Sequence, residues 1–402
     1  MPASDPAFRI FTIFLRLGLT SFGGPVAHLG YYRRELVERR RWLGDAAYAD
    51  IVALSQFLPG PASSQTGFAI AYLRGGLPGA IAAFVGFTLP SALLMVAIAY
   101  GSPLFATVVG AALIHALKLV AVAVVAQAIS GMSRNLCPDA ARAGIAFASF
   151  ALVLLVPAPL IQPAAIALSG LAGWLLRGKA DPAPGSSEPP APGKRFPATL
   201  ALCLFAILLF GLPWLAGTNE NGVLRLLDIF YRAGSLVFGG GHVVLPLLET
   251  ATVAPGYMDE SLFLAGYGAA QALPGPLFAF SAYLGTLLPF APHPLIGGGL
   301  ALIAIFLPGF LLIYGALPFW HGLRASPHAG AIMKGANAGV VGLLTAAFYT
   351  PIWTSSIVSA PDFVLASGAF LLLTVFRQGS GRVVLIMAVI GIALGLANAM
   401  PA

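Results

Sequence analysis

Glycine and proline break the apolar stretches of this chain twice, in the same order and at almost the same spacing. Phe14-Leu15-Arg16-Leu17-Gly18 recurs as Phe230-Tyr231-Arg232-Ala233-Gly234, and Phe22-Gly23-Gly24 recurs at the same offset as Phe238-Gly239-Gly240. Gln56-Phe57-Leu58-Pro59-Gly60-Pro61 recurs as Gln271-Ala272-Leu273-Pro274-Gly275-Pro276 at an offset shorter by one, and Leu89-Pro90 and Lys118 recur as Leu307-Pro308 and Lys334 within two residues of the same register. Matches that keep one order along the chain mean two homologous halves. Between them Gly178 to Pro197 is rich in Pro, Gly and Ser; such a segment buries too little apolar surface to fold and reads as a linker. The expected organisation is a first repeat at 1–177, a cytoplasmic linker at 178–197 and a second repeat at 198–402.

The solvent follows from composition. Only 9% of the 402 residues are charged, against about 25% in a soluble domain, while 58% are hydrophobic and mean hydropathy is +0.90. Runs such as Leu93 to Ala99 and Leu119 to Val125 recur throughout, which excludes an ordinary water-soluble enzyme and points to an all-α polytopic protein in contact with membrane lipid. The net charge of +7 would fit nucleic acid in a soluble protein; here basic residues belong in cytoplasmic loops, and no nucleic-acid partner is expected. Cys137 and Cys203 lie far apart with no metal-ligand spacing, so neither disulfide framework, metal nor cofactor is expected. The first apolar stretch, Ile10 to Ala27, contains Arg16 and lacks a small-residue cleavage pattern, so it reads as part of the mature protein in an inner or plasma membrane.

Bases also set orientation. Arg33, Arg34, Arg39, Arg40 and Arg41 follow the first element of half one, whereas the matching loop of half two, Glu249 to Glu260, has no base and carries Glu249, Asp259 and Glu260. Equivalent loops therefore face opposite sides, an inverted-topology repeat of the kind found in secondary transporters. Spans are expected at 78–101, 103–130, 141–156, 159–176, 196–216, 295–317, 329–350, 361–376 and 383–400, with the segments around Gly23, Pro59, Gly239 and Pro274 as broken, re-entrant helices. This places Arg74, Arg134, Arg142, Arg177, Lys179, Lys194, Arg195, Arg324, Arg377 and Arg382 on the cytoplasmic side. A continuous first span in each half would move Arg324, Arg377 and Arg382 outside, so broken helices are preferred, with kinked full spans left open.

Arg16, Lys118, Arg232 and Lys334 then remain within membrane segments as two repeat-related pairs. Cations there cost several kcal/mol on insertion scales and face a partner, cavity or pathway; snorkelling or a structural ion pair is the alternative. No acids match them in the repeat, so they point to an anionic substrate. The breaks at Gly23-Gly24 and Gly239-Gly240, and at Pro59-Gly60 and Pro274-Gly275, leave backbone N–H groups at half-helix N-termini, whose dipoles favour an anion; close helix packing or a kink would use the same residues. Gln56 and Gln271 precede the proline motifs and offer further donors, as do Ser63, Ser64, Gln65 and Thr66, although Ser and Thr often only satisfy a broken backbone. His28 and His242, the latter seven residues before Glu249, are candidates for proton coupling, with a structural histidine the commoner outcome.

Phe22-Gly23-Gly24-Pro25-Val26-Ala27-His28, Phe238-Gly239-Gly240-Gly241-His242, Leu245-Pro246-Leu247-Leu248-Glu249 and the two Leu-Pro-Gly-Pro motifs resemble the chromate ion transporter family in its long, two-domain form. The resemblance implies efflux of chromate through a bacterial inner membrane, conferring resistance, with sulfate as a related oxyanion. Pro25 gives way to Gly241 in half two, and His28 has no histidine at its equivalent, so the halves are not expected to contribute identically. A passive anion channel or a sulfate transporter would use many of the same residues. No HExxH, GxSxG or acidic metal motif supports an enzyme. Sequence leaves a homodimer open.

Overall fold

The computed structural model describes residues 5–21, 24–156, 161–176, 195–219, 221–238, 241–320 and 326–399. Gly23, Gly239 and Gly240, the linker up to residue 194, and Arg177, Lys179, Lys194 and Arg324 lie outside them. Among the described residues the secondary structure is helical, without strands. Half one contains α1 (Ala7–Thr20), α2 (Gly24–Tyr32), α3 (Asp45–Phe57), α4 (Ala62–Tyr100), α5 (Val108–Leu136), α6 (Ala140–Leu155) and α7 (Ile161–Leu175). A single helix, α8 (Arg195–Thr218), leads to half two: α9 (Gly222–Ser235), α10 (Val244–Thr252), α11 (Glu260–Ala272), α12 (Phe280–Leu287), α13 (Pro294–Ala316), α14 (Pro327–Ala347), α15 (Ala360–Thr374) and α16 (Ser380–Ala399). Helices α1 and α9, and α3 and α11, begin and end at one common offset, the same as between the Leu-Pro-Gly-Pro motifs and one residue shorter than between the Phe-Gly-Gly motifs.

Five helical stretches are long and apolar enough to cross a bilayer: Ala62–Tyr100, Val109–Leu136, Arg195–Thr218, Pro294–Phe319 and His328–Ser356. Shorter apolar helices, α6, α7, α15 and α16 among them, complete a multi-pass membrane protein. The expected spans lie within these helices to a few residues, with one difference. The span at 78–101 is the second part of α4, which starts at Ala62 and is interrupted at Gly75 and Gly76, where Gly76 takes φ +64°. Half two separates the corresponding parts into α12 and α13. Phe196, Leu200, Ile207, Phe210 and Trp214 of α8 are exposed, as a lipid-facing helix requires.

Small residues set the packing, since van der Waals contact rather than water exclusion joins helices in lipid. A Cβ on Gly18 of α1 would lie 2.5 Å from the Phe87 carbonyl oxygen of α4, and one on Gly234 of α9 would lie 2.1 Å from the Ile305 oxygen of α13. Beyond these pairs the halves exchange helices. Helix α5 packs on α15 and α16 of half two, and its counterpart α14 packs on α6 and α7 of half one. A Cβ on Gly342 of α14 would sit 2.0 Å from the Ala146 oxygen of α6, and one on Gly391 of α16 would sit 2.5 Å from the Ala116 Cβ of α5. The centre is sealed by α4 against α13, where Phe68 and Phe310 stack at 4.5 Å and Phe84 meets both Phe306 and Phe310.

Candidate functional site

The interruptions meet across the halves. The Gly60 N–H donates to the Val237 carbonyl at 2.7 Å, and the Gly275 N–H donates to the Ser21 carbonyl at 2.9 Å. Ser21 and Val237 occupy matching positions of the two halves and stand just before the two Phe-Gly-Gly motifs. Each Leu-Pro-Gly-Pro turn is thus joined to the backbone ahead of the other half's Phe-Gly-Gly motif. Both turn glycines need a backbone open only to glycine, with φ +125° at Gly60 and +101° at Gly275. Gly60 also abuts Gly309 and Gly275 abuts Ser91, residues that follow the matching prolines Pro308 and Pro90. The Gln65 side chain ties half one to this crossing, its Nε2 donating to the Pro59 and Gly309 carbonyls at 3.0 Å each.

Helix α4 begins at this crossing with Pro61 as its N-cap and no capping side chain. Ser63, Ser64, Gln65 and Thr66 of its first turn are all buried. His28, 1% exposed, places Nδ1 3.4 Å from the Ser63 Oγ and meets Phe87 edge-on at 5.2 Å. Tyr32, Ser64 and Thr88 line a space of about 10 Å³ beside Phe87, and their hydroxyls make no hydrogen bond. Ser21 Oγ is likewise buried and unpartnered. Buried hydroxyls are ordinarily satisfied, so a cluster of orphans beside an uncapped helix N-terminus is chemically poised to receive an acceptor. Sequence reading named Ser63 to Thr66 but missed Ser21, Tyr32 and Thr88: Thr88 looks like an isolated polar residue in an apolar run, while Tyr32 abuts the arginine cluster and Ser21 follows Thr20. The signal that finds them is the difference between the halves, where Tyr32 and Thr88 correspond to Leu248 and Phe306.

The four cations do not converge as a symmetric set. Arg16 and Lys334 are exposed and Lys118 is half-buried, none making a side-chain hydrogen bond or ion pair with a described residue. Lys118 is on the stretch of α5 that touches α11 at Gly268, one turn ahead of Gln271, whereas Lys334 adjoins the contact of α14 with α7 at Gly335 and Gly173. The expectation of unpaired charge fails at Arg232, which is ion-paired with Asp228 one turn earlier. That i,i+4 acid has no counterpart in half one, where Thr12 stands. Arg232 and Asp228 line a cavity of about 370 Å³ with Arg225, Gln162, Thr250 and Tyr257, bounded in part by α8. His242 hydrogen-bonds the Tyr267 hydroxyl at 2.7 Å, while Glu249 is half-buried and lies 3.5 Å from the Thr250 hydroxyl, so the pair seven residues apart is not in direct contact. Gln56 is exposed; Gln271 is buried and its carbonyl accepts from Ser380. A tie absent from the sequence reading joins α5 to α15: His115 Nε2 is 2.6 Å from Asp362 Oδ1. Among the described residues no group of three or more His, Cys, Asp or Glu side chains could hold a metal ion.

Comparison with known proteins bears on both halves. The chain is 26% identical over 387 residues to a probable chromate transport protein of Synechococcus elongatus, covering 91% of this chain and 89% of that one. It is 27% identical over 393 residues to a chromate transport protein of Cupriavidus metallidurans, at 92% and 88% coverage. For a chromate transport protein of Pseudomonas aeruginosa the identity is 29% over 360 residues, at 86% and 80%. No solved structure matches. The chromate transporter family model matches residues 8–174 and 224–396, so that it takes in both crossing turns and the helices exchanged between the halves, and the chain belongs to that family.

Proposed function

We propose that this protein carries chromate out of the cytoplasm through a bacterial inner membrane and so confers chromate resistance, with sulfate as an analogue. The observation that carries the reading is the reciprocal joining of two glycine turns at the centre of a polytopic bundle, beside a buried, uncapped helix N-terminus. Irregular backbone at membrane depth is stable only where it is enclosed by protein or lines a cavity, and N–H groups there favour an anion. Arg16, Arg232, Lys118 and Lys334 raise the local concentration of a dianion, and Gln56, Gln271, Gly23, Gly24, Gly239 and Gly240 belong to the segments it passes.

In this reading each half crosses the membrane an even number of times and α8, which has no counterpart in the repeat, is the odd crossing that inverts half two. Rocking of the halves then gives alternating access. His28, His242 and Glu249 are the groups available for proton coupling; exchange for another anion needs none of them. The test is counterflow of labelled chromate in proteoliposomes containing the purified protein, with internal sulfate and pH varied. Accumulation against the electrochemical gradient is expected; flux that only follows that gradient would overturn the carrier. In cells, Arg16→Ala is expected to abolish chromate resistance at normal membrane expression, and Arg232→Ala, which also breaks the ion pair with Asp228, is expected to do so with its membrane level measured alongside. Full resistance in both would remove the arginines from the substrate path.

A further inference from the structure

We infer that the oxyanion is held in half one alone, at the N-terminus of α4 among Ser63, Ser64, His28, Tyr32 and Thr88, and that the equivalent place in half two is closed by aromatic rings. This rests on the transport reading above and narrows it from a symmetric midplane to one pocket. The repeat register makes the comparison residue by residue. Ser63, Ser64 and Gln65 correspond to Phe278, Ala279 and Phe280; His28 and Tyr32 to Val244 and Leu248; Thr88 to Phe306. Phe278 and Phe306 are in ring contact at 5.6 Å, so the positions that present hydroxyls in half one fill the same space with carbon in half two. Thr66 and Ser281, the polar pair common to both, each bond a backbone carbonyl of their own turn, and so are not the source of the difference.

The donors suit a tetrahedral dianion. Ser64, Thr88 and Tyr32 are at most 6% exposed, make no hydrogen bond and surround one space, and each hydroxyl can turn its proton inward. The first turn of α4 adds N–H groups with the positive end of the helix dipole behind them. Neutral donors of this kind bind a dianion without a fixed countercharge, which leaves release feasible in a transport cycle. The space of about 10 Å³ is close to that of a single water, so the anion enters only as Tyr32 and α2 move away from α4.

The test uses the full chain purified in detergent and in proteoliposomes, with sulfate and chromate as probes. Ser64→Ala and Thr88→Val remove hydroxyls that bond nothing in the protein, so the anion-free melting temperature is expected to stay level or rise. The rise in melting temperature on adding sulfate is expected to disappear, and chromate counterflow to fall about tenfold or more, the worth of one hydrogen bond to a charged group. Ser281→Ala and Phe306→Leu in half two are expected to keep both responses, and labelled sulfate to bind at one per chain. Unchanged sulfate response and counterflow in Ser64→Ala/Thr88→Val would overturn the pocket while leaving transport intact, as would two equivalent sulfates per chain. Equal loss in the half-two variants would show a site shared between halves and also overturn it. Absence of chromate and sulfate counterflow in the wild type would remove the transport reading itself, and this inference with it.

Discussion

Replacing Gly60 by Ala tests the crossing directly. The residue has φ +125°, and a Cβ built there lies 3.0 Å from the Gly309 Cα and 3.0 Å from the Gln65 Nε2. Holding alanine in that backbone region costs about 1–3 kcal/mol, and pushing the Gly309 backbone aside costs a further ~1–3 kcal/mol. The Gln65 amide, which donates to the Pro59 and Gly309 carbonyls, must also shift. The total is about 2–6 kcal/mol, or a fall in melting temperature of roughly 2–7 °C for a chain of this size, read by intrinsic tryptophan fluorescence of the purified protein. Gly275→Ala should cost less. Its backbone penalty is similar, but the nearest atom to its Cβ is the Ser91 hydroxyl at 2.8 Å, a side-chain atom that can turn away by giving up its bond to the Thr88 carbonyl. Gly76→Ala is the control: at φ +64° and ψ −162° it carries the same kind of backbone penalty, about 1–3 kcal/mol, but nothing lies closer to its Cβ than a Pro78 carbon at 3.8 Å, so the steric part is absent. A wild-type melting temperature for Gly60→Ala, or a larger loss in Gly76→Ala than in Gly60→Ala, would refute the reasoning.

Other perturbations separate structural from substrate roles. Arg232→Gln leaves the nearly buried Asp228 carboxylate without its partner and is expected to cost about 1–3 kcal/mol. The double variant with Asp228→Asn should be milder than Arg232→Gln alone, and strict additivity in a double-mutant cycle would argue against the pair. His115→Ala cuts the 2.6 Å tie to Asp362, which keeps its bonds from Ser359 and Val358; faster amide exchange at the start of α15, with ~1–2 kcal/mol lost, is expected. Arg16→Gln touches an exposed side chain and should leave stability within about 0.5 kcal/mol, so any rise in the KM for chromate would report on anion attraction alone.

The spans were legible because apolar length is a property of local sequence: α8, expected at 196–216, runs Arg195–Thr218, and the helix expected at 295–317 runs Pro294–Ala316. The crossing turns were legible as paired Pro-Gly interruptions. Their partners were not, since the bonds from Gly60 to Val237 and from Gly275 to Ser21 join residues whose proximity no periodicity encodes. The pairing of Arg232 with Asp228 at i−4 escapes a comparison of repeat-matched positions, because Asp228 has no acid at its equivalent in half one. Thr88 and Tyr32 went unseen for a related reason. Aligning the halves for agreement selects what both share, which is scaffold, whereas a pocket present once is visible only where they disagree, as at Thr88 against Phe306.

The exchange of α5 and α14 also bears on how the halves move, because neither can rock without carrying a helix of the other. A cross-link tests the exchange in the membrane. A Cβ on Gly170 of α7 would lie 3.9 Å from the Ala336 Cβ of α14, inside the ~3.5–4.5 Å range that a disulfide spans. Gly170 belongs to half one and Ala336 to half two, so a Gly170→Cys/Ala336→Cys protein, with Cys137 and Cys203 replaced by Ala, should oxidise to an intramolecular bridge. With a protease site placed between residues 177 and 194, the cleaved halves should then run together on a non-reducing gel and separate on reduction. Halves that separate without reductant, in protein that still melts cooperatively, would mean that α14 packs within its own half and that the helices are not exchanged. If the bridge forms and counterflow survives, the motion must leave α7 and α14 together as one body, and the moving surface then falls at the crossing turns.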